Sequence, residues 1–128
     1  IYLIKLAILI SLKSLIWVYF GNFKMKNKDI IDHIAVQVDD VKKSISWYTK
    51  KFRCKTIYVD DTWGFIEFEN IKLAFVKKNE HPPHFAVIDQ NIILNKDTVK
   101  HRDGSVSKYI QDLDNNKIEL IKYEKDNS

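Results

Sequence analysis

The stretch DHIAVQVDDVKKSISWYTKKF, residues 32–52, decides the fold because its hydrophobic period changes halfway along. In residues 32–38, apolar and polar side chains alternate and β-branched residues are frequent, which is typical of a strand. Asp39 and Asp40 then offer an N-cap. Beyond them, apolar residues recur at spacings of four, three and four, at Val41, Ile45, Tyr48 and Phe52. This spacing predicts a helix of about three turns with one apolar stripe.

Three further strands are predicted after the helix. Their sequences are CKTIYVD at 54–60, WGFIEF at 63–68 and IKLAFVK at 71–77. Turn-forming pairs separate them, Asp-Asp at 60–61 and Glu-Asn at 69–70. The first half of the chain is therefore predicted to be a strand, a helix and a three-stranded meander.

The second half repeats the first in shortened form. HIAV at 33–36 matches HFAV at 84–87, and KLAFV at 72–76 matches KIELI at 117–121, which indicates an internal duplication. Residues 89–100 have room for one short helix or only a loop. Residues 106–111 and 117–123 are predicted to close the domain as a hairpin. We expect an α+β fold of paired βαβββ modules around a cleft, with a shortened helix in the second module.

Strand alternation places three polar side chains on one face. His33 opposes the apolar face of its strand, His84 opposes Phe85, and Glu119 lies on the side away from Leu120. If the two halves pack with pseudo-twofold symmetry, the faces away from the helix form one cleft. His33, His84 and Glu119 then converge in that cleft.

The repeat, the His that opens each half and the closing segment DLDNNKIELI at 112–121 together resemble the vicinal oxygen chelate superfamily. That group includes glyoxalase I, extradiol dioxygenases, fosfomycin resistance enzymes and bleomycin resistance proteins. The resemblance covers residues 30–123 and implies curved mixed sheets. It also implies a metal site at the first and last strands of each repeat, which correspond here to His33, position 74, His84 and Glu119.

Position 74 is Ala, which cannot bind a metal ion, so the implied ligand set is His33, His84 and Glu119. Two His and one carboxylate form a facial triad that leaves coordination positions open and often holds Fe(II). The implied cofactor is a divalent ion, Fe²⁺, Mn²⁺, Ni²⁺ or Zn²⁺. Such an ion would chelate two neighbouring oxygens of a small metabolite and stabilise negative charge that develops on them. The reaction class stays open between lyase, isomerase, dioxygenase and thiol transferase.

Two further residues are candidates for proton transfer or for orienting the site. Alternation places Glu67 and Tyr109 on the cleft side of their strands, and we assign them provisional catalytic roles. The alternative function is a bleomycin-resistance-like protein that binds a small molecule without metal or catalysis. The resemblance also implies a homodimer.

The composition and the absence of certain motifs exclude several other classes of protein. One Cys excludes a disulfide framework and a Cys-rich zinc site and favours a reducing, cytoplasmic location. No P-loop, dinucleotide-binding glycine motif or nucleophile elbow occurs. Residues 1–24 carry three lysines and no acid, so without them the net charge falls from +4 to +1. The basic balance therefore gives little support for nucleic acid as a partner.

The first 24 residues stand apart from the domain at 25–128. Sixteen of residues 1–20 are apolar, but Lys5 and Lys13 interrupt them. Three interpretations stay open: translation starts at Met25, residues 1–20 form a helical membrane anchor, or they form a signal peptide. A membrane contact is expected only if residues 1–20 are translated.

Overall fold

A curled, mixed sheet of eight strands and one helix make up residues 27–125, which are the residues that the computed structural model describes. The N-terminal segment 1–24 and its three interpretations lie outside the described residues, as do Met25 and residue 26. In chain order the elements are β1 (Ile31–Val38), α1 (Val41–Lys51), β2 (Lys55–Val59), β3 (Trp63–Glu67), β4 (Lys72–Lys77), β5 (His84–Ile88), β6 (Val99–Lys100), β7 (Val106–Gln111) and β8 (Lys117–Lys122).

The strand order β2-β3-β4-β1-β5-β8-β7-β6 confirms the predicted duplication. In each module the first strand pairs in parallel with the last, β1 with β4 and β5 with β8. The two modules join where β1 and β5 pair antiparallel at the centre of the sheet. The two strands that carry the candidate histidines therefore lie side by side.

Helix α1 covers the outer face of the first module. Its buried residues Val41 and Ile45 pack against Ile66 and Phe75 of the sheet, as the apolar stripe predicts. Asp40 is the N-cap, and its Oδ1 accepts a hydrogen bond from the backbone N–H of Lys43 at 2.9 Å.

The prediction of a shortened helix in the second module is wrong, because the described residues of that module contain no helix. Residues 89–98 form turns, and a short strand that was not predicted, β6, follows them. Asx-type hydrogen bonds of Asp89 and Asn95 to backbone N–H groups two residues ahead favour turns over a helix. Ile92 is buried, but the adjacent Ile93 and Leu94 are exposed, so no apolar stripe at helical spacing forms.

The missing helix leaves an apolar row on the outer face of the second module. Cross-strand pairs join Ile34, Phe85, Ile118 and Ile110 in one line. At the far end of the sheet, the β7–β8 turn has Asn115 at φ 67°, in the left-handed region that Asn tolerates better than most residues. Among the described residues, no helix is long and apolar enough to span a membrane.

Candidate metal centre

Two neighbouring rows of paired residues carry the candidate ligands across the concave face. One row pairs His33 with Ala86, Ala86 with Glu119, and Glu119 with Tyr109. In the adjacent row, two residues away along each strand, His84 pairs with Ala35. Ala35 and Ala86 are the cross-strand partners of these polar residues, and their small side chains leave open space above the concave face.

The three predicted ligands do come together. One ligand atom from each of His33, His84 and Glu119 lies within 4.8 Å of the others, and all three residues are buried. Glu119 Oε2 is 3.0 Å from Nε2 of His84 and 3.4 Å from Nε2 of His33. The two imidazole rings meet edge to face at 5.7 Å between centroids.

Each His has its Nδ1 engaged away from the cluster. Nδ1 of His84 is 2.8 Å from the Pro82 carbonyl oxygen, and Nδ1 of His33 is 2.8 Å from Oδ2 of Asp32. Both partners accept hydrogen bonds, so each Nδ1 carries the proton and donates it. Each Nε2 is then left with a lone pair directed towards Glu119, as in metal-binding histidines.

Three acceptor atoms thus converge on one point, and they need a positive charge between them. In the metal-free protein a proton on His33 supplies that charge. Burial lowers the pKa of His33, but the hydrogen bonds to Asp32 and Glu119 outweigh this effect and raise it above its usual 6.5. Burial also raises the pKa of Glu119, yet the hydrogen bond from the protonated His33 and its positive charge hold it far below its ordinary range. A divalent ion fits this donor set, since it can replace the proton.

Asp32 is a member of the site that the sequence reasoning missed. Its carboxylate accepts hydrogen bonds from His33, from the Tyr123 hydroxyl at 2.7 Å, and from Lys72, whose Nζ lies 3.0 Å from Oδ1. Burial raises the pKa of Asp32, but these partners bring it down to about 2, so Asp32 is ionised at neutral pH. Alternation within β1 alone would put Asp32 on the outer face with Ile34. An irregularity in the β1–β5 pairing between Ile31 and His33 turns it inward.

The position of the fourth ligand is filled by Ala74, as the alignment of the two repeats predicted. Ala74 pairs with Ala35 just as Glu119 pairs with Ala86. Ala74 also pairs with Phe65 of β3. Ala35, Phe65 and Ala74 are buried together in one apolar cluster. The β4 side of the cluster therefore offers apolar surface where a fourth ligand would stand.

The two residues assigned provisional catalytic roles lie at different distances from the triad. The Tyr109 hydroxyl is 3.5 Å from Nδ1 of His84. Burial raises the pKa of Tyr109 well above its usual range, and Glu119 adds to the rise, so the phenol stays protonated. Glu67 is exposed at the end of β3 and is separated from His33 by Lys72 of β4, roughly 10 Å away at two strand spacings. It lines an open surface depression with Arg53, Cys54 and Lys55 instead.

His101, which strand alternation did not single out, also borders the triad. Its Nε2 is 2.8 Å from the Ser107 hydroxyl and 3.9 Å from Oε1 of Glu119. A loop before β7 brings it there, so no short-range signal in the sequence could have placed it.

The fold and the buried His-His-Glu cluster together define a small two-module α+β protein with a cluster in its cleft that could hold a metal ion. The model of the Glyoxalase/Bleomycin resistance protein/Dioxygenase superfamily matches residues 30–120, and the chain belongs to that superfamily. The vicinal oxygen chelate resemblance is thereby confirmed.

Solved structures agree on the fold. A hypothetical protein from Bacillus halodurans superposes with a TM-score of 0.65 at 14% identity, over 80% of this chain and 99% of that one. A hypothetical protein from Staphylococcus aureus superposes with a TM-score of 0.50 at 11% identity, over 84% of this chain and 39% of that one. A search of curated proteins finds no significant match.

Proposed function

We propose that this protein is a metal-dependent enzyme of the vicinal oxygen chelate type, with His33, His84 and Glu119 as its metal ligands. The observation that carries the proposal is the convergence of three acceptor atoms within 4.8 Å, with both Nδ1 protons held by other partners. An arrangement that served stability alone would not need two imidazole lone pairs aimed at one carboxylate.

The bound ion would polarise two neighbouring oxygens of a small oxygenated substrate and stabilise the negative charge that develops on them. His33, His84 and Glu119 would occupy one side of it and leave the side towards Ala74 for substrate. Asp32 and the Pro82 carbonyl keep the two imidazoles in the tautomer that binds metal.

Proton transfer falls to the residues beside the triad. The protonated Tyr109 phenol can donate a hydrogen bond to an oxygen that becomes negative. The half-buried His101 imidazole lies 3.9 Å from Oε1 of Glu119 and connects the triad with solvent. A role for Glu67 stays a prediction, since it requires the substrate to reach the end of β3.

Metal binding can be measured directly on the full-length chain. We expect one divalent ion per chain after anaerobic reconstitution, measured by elemental analysis and by competition with a chelator. Glu119→Gln removes the charged ligand and should weaken binding at least about a hundredfold, because the loss of outer partners alone typically costs 10–100-fold. Glu69→Gln, at an exposed turn position, is the matched control and should bind like the wild type.

A folded protein that takes up no divalent ion would contradict this proposal. It would favour the alternative, a bleomycin-resistance-like protein that binds a small molecule without metal. The homodimer and the cytoplasmic location stay predictions, which light scattering in solution and cell fractionation would test.

A further inference from the structure

We infer that the substrate of the proposed site has a planar, aromatic or conjugated body, which packs on a wall formed by Tyr58, Trp63 and Phe65. This inference rests on the proposed function, because the chelating end of the substrate needs the metal. It goes further by naming the class of molecule and the residues that select it.

The wall begins at the metal ligands. The ring of Phe65 meets the His33 imidazole edge to face at 5.2 Å between centroids. Phe65 is also the cross-strand partner of Ala74, which stands where a fourth ligand would be. The gap that Ala74 leaves in the candidate ligand set therefore faces Phe65.

From Phe65 the aromatic surface continues to the mouth of the cleft. Trp63 packs edge to face on Phe65 at 5.8 Å, and Tyr58 stacks on Trp63 at 4.5 Å with 27° between the rings. Exposure increases along this series. Phe65 is 9% exposed, Trp63 is half-buried and Tyr58 is 40% exposed, so the outer rings offer surface to a ligand.

The outer part of the wall is held in place before any ligand binds. The Tyr58 hydroxyl donates a hydrogen bond to Oδ2 of Asp60 at 2.6 Å. Oδ1 of the same carboxylate accepts from the backbone N–H groups of Thr62 at 2.7 Å and Trp63 at 2.9 Å. A surface that is already ordered loses little conformational entropy when a flat ligand packs on it.

The chemistry of this wall suits an apolar body better than a sugar or a phosphate. Ala74, Val76 and Phe65 have no polar side-chain atoms, and the Tyr58 hydroxyl is engaged with Asp60. Lys72 lies over the Phe65 ring at 5.3 Å, but its charge is paired with Asp32. A ligand rich in hydroxyl groups would find few partners along this side, where the wall offers the indole N–H of Trp63 as a donor, whereas an aromatic ring gains from stacking.

Two hydroxamates test the inference because they share one chelating group. Acetohydroxamate and benzohydroxamate both bind a metal ion through two neighbouring oxygens and differ only in the methyl or phenyl body. We expect benzohydroxamate to bind the zinc-loaded, full-length protein at least about tenfold more tightly, as stacking and apolar burial of a ring would give. Calorimetric titration measures both affinities.

Trp63→Leu should reduce this preference to about threefold or less, because the loss falls mainly on the phenyl body of benzohydroxamate while the metal ligands are intact. Trp47→Leu is the matched control, because Trp47 is an exposed Trp on α1. Tyr58→Leu, at a more exposed ring of the same wall, provides a second variant if Trp63→Leu does not fold.

The outcomes separate the two proposals. Equal affinities for the two hydroxamates in the zinc-loaded wild type would overturn the inference and leave the metal site standing. A preference that persists in both Trp63→Leu and Tyr58→Leu would also overturn it. A folded wild type that binds no zinc would overturn the proposed function, and this inference with it.

Discussion

At the scale of single residues, Asp32 shows how the site depends on a side chain that binds no metal itself. Its carboxylate holds the His33 imidazole in the metal-binding tautomer and is itself held by Tyr123 and Lys72. Because an ionised acceptor makes the imidazole a stronger donor of electrons to a metal, Asp32 should tune affinity without contributing a ligand.

We therefore expect Asp32→Asn to lower zinc affinity by roughly 10–100-fold, because the neutral amide can accept the His33 hydrogen bond but supplies no charge. Chelator competition on the full-length protein measures the change. Asp39→Asn, at an exposed position that is paired with Lys78 and lies outside the cluster, should have no such effect. Wild-type affinity in a folded Asp32→Asn variant would show that Asp32 does not support the metal centre.

At the scale of elements, the contact of α1 with the sheet depends on Gly64. A Cβ at this position would collide with Cδ1 of Ile45 and would lie 3.0 Å from Cγ1 of Val41. Both helix residues are buried, so neither side chain has free space into which it can move.

Gly64→Ala should lower the free energy of unfolding by about 1–3 kcal/mol through overpacking. Ile45→Val removes the methyl group in the way, and alone should cost about 0.5–1.5 kcal/mol. The double variant should then be more stable than the sum of the two single changes predicts, which urea unfolding would measure as a coupling energy. Strict additivity would contradict this account of the helix–sheet contact.

At the scale of the whole molecule, the cluster makes stability depend on pH. His33 has a raised pKa in the folded protein, so the folded form keeps a proton that the unfolded chain releases above about 6.5. The stabilisation that this proton provides is fully present below pH 6.5. It is lost as the pH rises through the pKa of His33 in the folded protein.

For the metal-free protein, we expect the free energy of unfolding to fall as the pH is raised from 6 to 8. For the zinc-loaded protein we expect the opposite trend over the same range, because the ion replaces the proton and competes with fewer protons at higher pH. Urea unfolding at pH 6, 7 and 8, with chelator and with excess zinc, compares the two. Parallel pH profiles in the two conditions would contradict metal binding at His33.

Most elements of the fold and the three candidate ligands could be predicted from the sequence alone. The alternation in residues 32–38 and the helical spacing after Asp40 are local patterns. They arise because each element must have apolar side chains on the face that it buries. The duplication relates His33 to His84 and Ala74 to Glu119, because the two copies of the module pack through related strands. Ala74 was identified as the empty fourth position by the same comparison.

Only the tertiary structure decided what surrounds those ligands. The inward turn of Asp32 comes from an irregularity in pairing with β5, some fifty residues away, and strand alternation within β1 cannot reveal it. The distance of Glu67 from the triad, the approach of His101 and the replacement of the second helix by a loop likewise depend on contacts between distant segments. Local periodicity reports which face of an element is buried, whereas register and loop paths are set by the packing of the whole chain.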